Sequence, residues 1–297
     1  MYKEKNLNIG ELIENGKITL KKNNVEDAEI KANMLLQYIL KMNKIELLIN
    51  KDLEVSKKNI EKFNIYITEV SKGMPVQYLT NKQEFMKLNF YVDKNVLIPQ
   101  PDTEILVEEA LIKVQEIENQ QKETHSKSES IKILDLCTGT GAIGISLYKY
   151  GKNVEIYASD ISKKAIEIAK RNAIANNANI EFILSDMFEQ ISMCDFDIIV
   201  SNPPYIKTDV IKKLSKEVQN EPHIALDGGN DGLNFYKIIC SEAYKYVKNG
   251  GYIMVEIGYD QKDEVMELFN KTRHYKEIQS IQDLGGNNRV VKAKVIK

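Results

Sequence analysis

Ile131-Lys132-Ile133-Leu134-Asp135-Leu136-Cys137-Thr138-Gly139-Thr140-Gly141 reads as a strand, a loop with two glycines and the entry to a helix. Its first six residues are mostly apolar and of strand length, and Ala142–Tyr150 has helical spacing. Outward from here the chain alternates. Further strands are expected at Val154–Ser159, Ile180–Leu184, Phe196–Ser201, Tyr252–Ile257, Tyr275–Ile281 and Val290–Ile296. Helices are expected at Lys163–Asn176, Val210–Val218, Leu233–Val247 and Gln261–Asn270. Ile198-Ile199-Val200 is apolar without alternation, as a strand covered on both faces requires. The expected fold class is α/β, a doubly wound seven-stranded sheet with ligands at the carboxyl ends of its strands.

The glycine loop delivers a ligand to a helix N-terminus, and its glycines let the backbone come close. A tight strand–helix turn is the plainer account of two glycines, so the flanking acids matter. Asp160 ends the second strand, at close to the roughly 20-residue spacing from Asp135 expected of a ribose-binding acid. Asp186 follows the third strand, within reach of an adenine exocyclic amine. The pattern is Asp-x-Cys-x-Gly-x-Gly, not the dehydrogenase fingerprint. The Asp135 carboxylate would repel a pyrophosphate but suits the ammonium and sulfonium of S-adenosylmethionine.

Ser201-Asn202-Pro203-Pro204-Tyr205 follows the fourth strand. Two prolines fix the backbone and remove two donors, which leaves carbonyl oxygens as acceptors. The Asn202 side chain adds an acceptor and Tyr205 a flat face. A planar NH₂ group fits this set: one hydrogen to the Asn202 amide oxygen, one to the Pro203 carbonyl, and Tyr205 against its π-face. Accepting both hydrogens favours the positive charge that grows on nitrogen during methyl transfer. In-line alignment with a sulfonium methyl supplies proximity. No strong general base is needed before attack, and none is evident nearby in sequence. A proline-rich turn after a strand is the bland alternative; the cofactor-type loop after the first strand weighs against it.

The remainder of the 297 residues fits this frame. Residues 1–75 have apolar positions at helical spacing (Ala28, Ala32, Leu35, Leu36, Ile39; then Ile60, Phe63, Ile67, Val70), with a short helix expected at Ile45–Leu48. Asp27 lies near one helix start and Ser56 is a candidate cap for the other long helix. Gly73-Met74-Pro75 stops the pattern. Phe85–Val92 is strand-like, which makes 76–100 a hairpin linker, and 101–297 the larger domain. Asp102 or Thr103 can cap a helix through Val114, and polar Gln115–Ser130 is expected to be an exposed loop. A net charge of −2, from 41 basic and 43 acidic residues, argues against gripping nucleic acid through its phosphates. Cys137, Cys194 and Cys240 have no paired spacing and are expected to be reduced, and no metal site is expected from His125, His223 and His274. Neither a signal peptide nor a membrane span is apparent, so a cytoplasmic location is expected; a monomer is the expected state.

The chain resembles the peptide chain release factor glutamine methyltransferases, of the class I S-adenosylmethionine-dependent superfamily, along nearly its whole length. The resemblance rests on Phe85-Met86, Ile98-Pro99-Gln100-Pro101-Asp102-Thr103-Glu104, Asp135–Gly141, Ser201–Tyr205, Glu221-Pro222-His223-Ile224-Ala225-Leu226, Gly228-Gly229-Asn230-Asp231-Gly232-Leu233, and Asp283-Leu284-Gly285-Gly286 with Arg289. It implies a methyltransferase sheet with a small all-helical N-terminal substrate-docking domain and a β-hairpin linker. It implies N5-methylation of the glutamine in the Gly-Gly-Gln motif of class-1 release factors, modulating translation termination, with S-adenosylhomocysteine as the other product. In family terms Cys137, Thr138, Gly139, Thr140, Gly141, Asp160 and Met187 line the cofactor. Asn202 touches cofactor and substrate, and Asn202, Pro203, Pro204 and Tyr205 bind the glutamine. Three residues depart from the family pattern: Cys137 for glycine, so its backbone angle must suit a side chain, Gln100 for arginine, and Met187 for tryptophan. Three rivals share the motifs: a nucleic-acid amino methyltransferase that grips a flipped base, a glutamine methyltransferase of a ribosomal protein, and an inert cofactor-binding adaptor. The mild acidity disfavours the first and the intact Asn202–Tyr205 loop the last; the active site does not separate the second.

Overall fold

Asn8 starts helix α1 (Ile9–Lys22) with a capping box: its side chain accepts the Glu11 N–H at 2.7 Å, and Glu11 returns a bond to the Asn8 N–H at 3.1 Å. The computed structural model describes residues 7–123 and 129–297. These divide into two units, one of residues 7–81 with 214–220, the other of the remaining described residues from 82 to 297.

The first unit is helical. After α1 come α2 (Ala28–Leu40), α3 (Lys44–Ile49), α4 (Lys57–Ser71) and α5 (Val76–Thr80). Ile9, Leu12, Leu35, Leu36, Phe63 and Ile67 form its core. Gly16 lets α1 approach α4, since a Cβ there would come within 2.7 Å of the Phe63 ring. Ser56 caps α4 as expected, whereas Asp27 makes no side-chain cap and sits at φ 52°. The segment 214–220 joins this unit through Lys31 Nζ to Glu217 Oε2 at 2.5 Å and Asn220 Nδ2 to the Gly73 carbonyl at 3.0 Å.

The second unit opens with a two-stranded hairpin, β1 (Gln83–Phe85) and β2 (Leu88–Phe90). Met86 and Lys87 turn it at positive φ. A 3₁₀ turn at Pro101–Thr103 leads into α6 (Glu104–Glu123). The expected loop from Gln115 is therefore helical through Glu123: Gln, Glu and Lys are good helix formers even without an apolar stripe. Residues 124–128 of that loop, with His125, lie outside the described residues.

The alternation follows as β3 (Ile131–Leu136), α7 (Ala142–Tyr150), β4 (Val154–Asp160), α8 (Lys163–Ala175), β5 (Ile180–Leu184) and β6 (Phe196–Ser201). Then come α9 (Thr208–Ile211), α10 (Lys216–Gln219), α11 (Asn234–Glu242), β7 (Val247–Glu256), α12 (Lys262–Lys271), β8 (Tyr275–Gln282) and β9 (Asn288–Val295). The single helix expected over Val210–Val218 is two short ones, because Ser215 breaks in as the cap of α10.

The sheet order is β5-β4-β3-β6-β7-β9-β8. β3 to β7 are parallel, but β9 runs antiparallel to both β7 and β8. The sheet is thus mixed at this edge, because the connection at Asp283–Asn287 is too short for a crossover helix. Along β3, Leu134 and Leu136 enter one apolar core while Ile131 and Ile133 enter the other, so the sheet is covered on both faces. The chain reverses direction across the sheet between β3 and β6, which opens a crevice at their carboxyl ends. Among the described residues no helix is long and apolar enough to cross a membrane.

Candidate active site

The loop after β3 is braced from below. Asp135 is fully buried, and its Oδ2 accepts the Thr138 hydroxyl at 2.5 Å and the Gly144 N–H at 2.9 Å. Asp135 was expected to face the cofactor's positive charge; it does not line the cavity above it. Burial pushes its carboxyl up to about 7, against the pull of those two hydrogen bonds. Its Oδ1 has no hydrogen-bond partner among the described residues.

Cys137, Gly139 and Gly141 lie at φ 64°, 56° and 80°. Cys137 therefore adopts the glycine conformation instead of one suited to a side chain, at a cost of about 1–2 kcal/mol. Its Sγ rests 3.9 Å from Met187 Sδ. Gly141 sits off the cavity wall, at the N-terminus of α7.

A cavity of about 250 Å³ opens over this loop. Of the expected residues, it brings together Cys137, Thr138, Gly139, Thr140, Asp160, Asp186, Met187, Asn202 and Pro204. Asp160 Oδ2 accepts the Gly139 N–H at 2.9 Å and Oδ1 the Ser162 N–H at 2.8 Å, which aims the carboxylate and leaves further lone pairs for a diol. The Ser159 hydroxyl, also on the wall, is buried without a hydrogen-bond partner among the described residues. A largely apolar slot with an aimed carboxylate and an unsatisfied hydroxyl fits a nucleoside such as that of S-adenosylmethionine.

Asn202 follows β6, whose last residue ties it to β3: the Ser201 hydroxyl donates to the Leu136 carbonyl at 2.7 Å. Asn202 Nδ2 donates to Thr103 Oγ1 at 3.1 Å. Pro203 and Tyr205, expected at the substrate, do not line this cavity. Tyr205 packs against the sheet's core with its hydroxyl 3.4 Å from Glu256 Oε1, and burial pushes its phenol upward. The loop is held from behind by Gln261, whose Nε2 donates to the Tyr205 carbonyl at 3.0 Å and the Gly232 carbonyl at 3.2 Å.

Leu97, Pro99, Gln100, Thr103, Ile224 and Ala225 also line the cavity. The sequence contained a signal for all of these but Leu97: they belong to the 98–104 and 221–226 segments that carried the resemblance without an assigned role. Gln100, in place of an arginine, donates to the Ile98 carbonyl at 3.0 Å and so supports its own segment. Glu221 Oε2 accepts the Ile98 N–H at 2.9 Å and joins the two segments. Glu256 gave no such signal, since only the fold carries the end of β7 behind Tyr205.

Comparison with known proteins bears on this geometry. A model described as the PrmC N-terminal domain matches residues 11–80, and one described as the Methyltransferase small domain matches residues 119–229. The release factor glutamine methyltransferase of Clostridium acetobutylicum is 42% identical over 279 residues, covering 92% of this chain and 94% of that one. Its counterpart in Clostridium botulinum is 38% identical over 289 residues, covering 96% and 98%. A crystal structure of a methyltransferase from Pyrococcus furiosus aligns with TM-score 0.52 at 18% identity, over 71% of this chain and 90% of that one, and shares the fold.

Proposed function

The chain belongs to the release factor glutamine methyltransferase family, and from that premise we propose that Asn202 and the Pro203 carbonyl hold the glutamine amide for methylation. The protein is an S-adenosylmethionine-dependent protein-glutamine N5-methyltransferase, with release factors of class-1 type as substrate. The observation that carries the assignment of Asn202 is its place on the wall of the same cavity as Cys137–Thr140, Asp160 and Met187.

The cofactor, when bound, supplies an electrophilic methyl group on a sulfonium. Asp160 would hold its ribose, and Met187 and Asp186 would flank its adenine. Asp135 acts one layer down, by fixing Thr138 and Gly144. Asn202 Oδ1 and the Pro203 carbonyl accept the two amide hydrogens of the glutamine. They thereby orient the nitrogen lone pair toward the methyl and stabilise the positive charge that builds as the N–C bond forms. The nitrogen then releases one of those two protons to solvent water, which leaves a neutral N-methyl amide. Tyr205 serves as the anchor of the loop, through its ring in the core and its hydroxyl at Glu256. In this reading residues 1–75 are the docking domain for the protein substrate, 76–100 the linker and 101–297 the catalytic domain, and the activity lies in the cytoplasm, where release factors work.

The test is transfer of a labelled methyl group to purified release factor, to a variant with alanine for the glutamine of Gly-Gly-Gln, to ribosomal protein and to DNA. Label on the release factor that vanishes in the alanine variant is expected. Label on DNA or ribosomal protein alone would overturn the substrate assignment. Asn202→Ala should abolish turnover with cofactor affinity largely kept; equal loss of both would remove Asn202 from the chemistry.

A further inference from the structure

Asp102, Thr103 and Glu104 end the 3₁₀ turn and open α6, and each side chain reaches a different part of the unit. Asp102 Oδ2 pairs with Arg289 Nη2 of β9 at 2.9 Å. Thr103 Oγ1 accepts from Asn202 Nδ2 at 3.1 Å. Glu104 Oε1 accepts the Met86 N–H, in the turn of the hairpin, at 2.6 Å. The Arg289 side chain is 11% exposed. Its Nη2 also meets Asp283 Oδ2 at 3.2 Å, while its Nε has no hydrogen-bond partner among the described residues. A mostly buried, incompletely satisfied guanidinium paired with the half-exposed Asp102 is a poor source of stability. It is a good tether, because the sheet holds its backbone: the Arg289 carbonyl accepts the Ile257 N–H at 2.8 Å.

We propose that this turn is the positioning element for Asn202: Thr103 fixes the side-chain amide, and the Arg289–Asp102 pair fixes Thr103. Asn202 makes no other side-chain hydrogen bond among the described residues. Thr103 is 4% exposed, so bulk water does not compete for its oxygen. With Nδ2 tied to Thr103, Oδ1 is the end of the amide left to accept from the target. Without that hydroxyl, nothing else among the described residues holds the amide. It can rotate about its last bond and offer NH₂ to the NH₂ of the glutamine, donor against donor. Asp102 precedes Thr103 in a tight turn, where the Thr103 N–H donates to the Gln100 carbonyl at 3.1 Å. A shift of Asp102 therefore carries Thr103 with it, and a displacement near 1 Å is enough to slow a reaction that depends on alignment.

This inference rests on the reading that Asn202 Oδ1 accepts a hydrogen of the target amide. Its test compares Thr103→Val, which keeps the shape and removes the acceptor, with Thr103→Ser, which keeps the acceptor. Asp102→Ala breaks the tether at its half-exposed end, and the double variant Asp102→Ala/Thr103→Val completes a cycle. Full-length enzyme is assayed with purified release factor for kcat and KM, with cofactor Kd from calorimetry. Thr103→Val should lose on the order of a hundredfold in kcat, with KM and cofactor Kd kept within about threefold. Thr103→Ser should recover kcat to within a few-fold. Asp102→Ala should lose about tenfold, and the double variant should be no slower than Thr103→Val alone to within about threefold, because both changes act through one contact. The positioning role of Thr103 is overturned if Val keeps the rate, if Ser falls as far as Val, or if the loss appears in cofactor affinity instead. A double variant whose loss is the product of the two single losses overturns the tether. Should Thr103→Val not fold, Thr103→Ala takes its place against Ser. Asn202→Ala separates the two ideas: loss there with a normal Thr103→Val rate sinks this proposal alone, whereas a normal Asn202→Ala rate sinks the reading of Asn202 beneath it.

Discussion

Gly228 lies so close behind Tyr205 that a Cβ built on it would meet Tyr205 Cα at 2.7 Å and the Pro204 carbonyl oxygen at 2.9 Å. These are backbone atoms of the substrate loop, so they cannot swing aside as a side-chain tip would. The Gly228 N–H also donates to the Ile206 carbonyl at 2.8 Å, which stitches the two segments together. Gly228→Ala should therefore displace Pro204 and Tyr205 at a cost of roughly 1–3 kcal/mol in stability. Turnover should fall at least tenfold while cofactor affinity holds, because the clash falls on Pro204 and Tyr205 and not on Asp160 or the β3 loop. Urea unfolding alongside methyl-transfer kinetics checks both; an alanine variant with full activity would mean the loop's position is not critical.

Two of the buried carboxyls, Asp135 and Glu256, shape stability against pH. Burial pushes Asp135 and Glu256 each up to about 7, whereas an unfolded chain titrates them near 4. Between these values the folded protein binds more protons, so unfolding becomes easier as pH rises. The stabilisation is fully present below about pH 4 and lost as pH passes through about 7. Asp135→Asn should flatten that decline, by on the order of 1–4 kcal/mol between pH 4.5 and 8. Denaturant midpoints for both proteins across that range test it, and parallel curves would show that Asp135 is ionised throughout.

Glu221 and Ile98 are 123 positions apart and joined by one bond of 2.9 Å. Glu221→Ala leaves the Ile98 N–H buried without that acceptor, worth about 1–3 kcal/mol. Because Pro99, Gln100 and Thr103 line the cavity just beyond, the loss should appear as weaker cofactor binding as well as a lower melting temperature. Glu221→Gln retains an acceptor oxygen and should bind nearly normally. Calorimetry that ranks the two variants equally would detach Glu221 from the site.

The three thiols should differ in reactivity. Burial raises the Cys137 thiol well above the usual range, and the charges of Asp160, Asp135 and Asp186 add to this, so little thiolate forms. Burial raises Cys240 likewise, while Cys194 is exposed. Iodoacetamide at pH 8 should alkylate Cys194 well ahead of the other two, as read by mass spectrometry of peptides. Rapid labelling of Cys137 would show that the β3 loop opens on its own.

Much of the fold was legible because its signals are local. Apolar runs of strand length placed β3, β5 and β6 at their observed ends. The Asn8–Glu11 capping box marks the start of α1 in the sequence, but its periodicity is weak, since its apolar positions are sparse and interrupted by Gly10 and Gly16. Gln115–Glu123 shows the opposite: helix propensity persists where periodicity does not.

By itself the sequence determined the alternation of strand and helix, the glycine loop and the Asn202–Tyr205 motif, all of which are written in contiguous residues. Tertiary structure alone decided what stands behind them. Thr103 meets Asn202 across 99 positions, and Tyr205 meets Glu256 across 51. It also withdrew Asp135 from the cavity and turned Tyr205 toward the core. Spacing along a chain says which residues leave a given strand end. Only the order of strands in the sheet says which ends are neighbours, and hydrogen-bond polarity at a site is set by those neighbours.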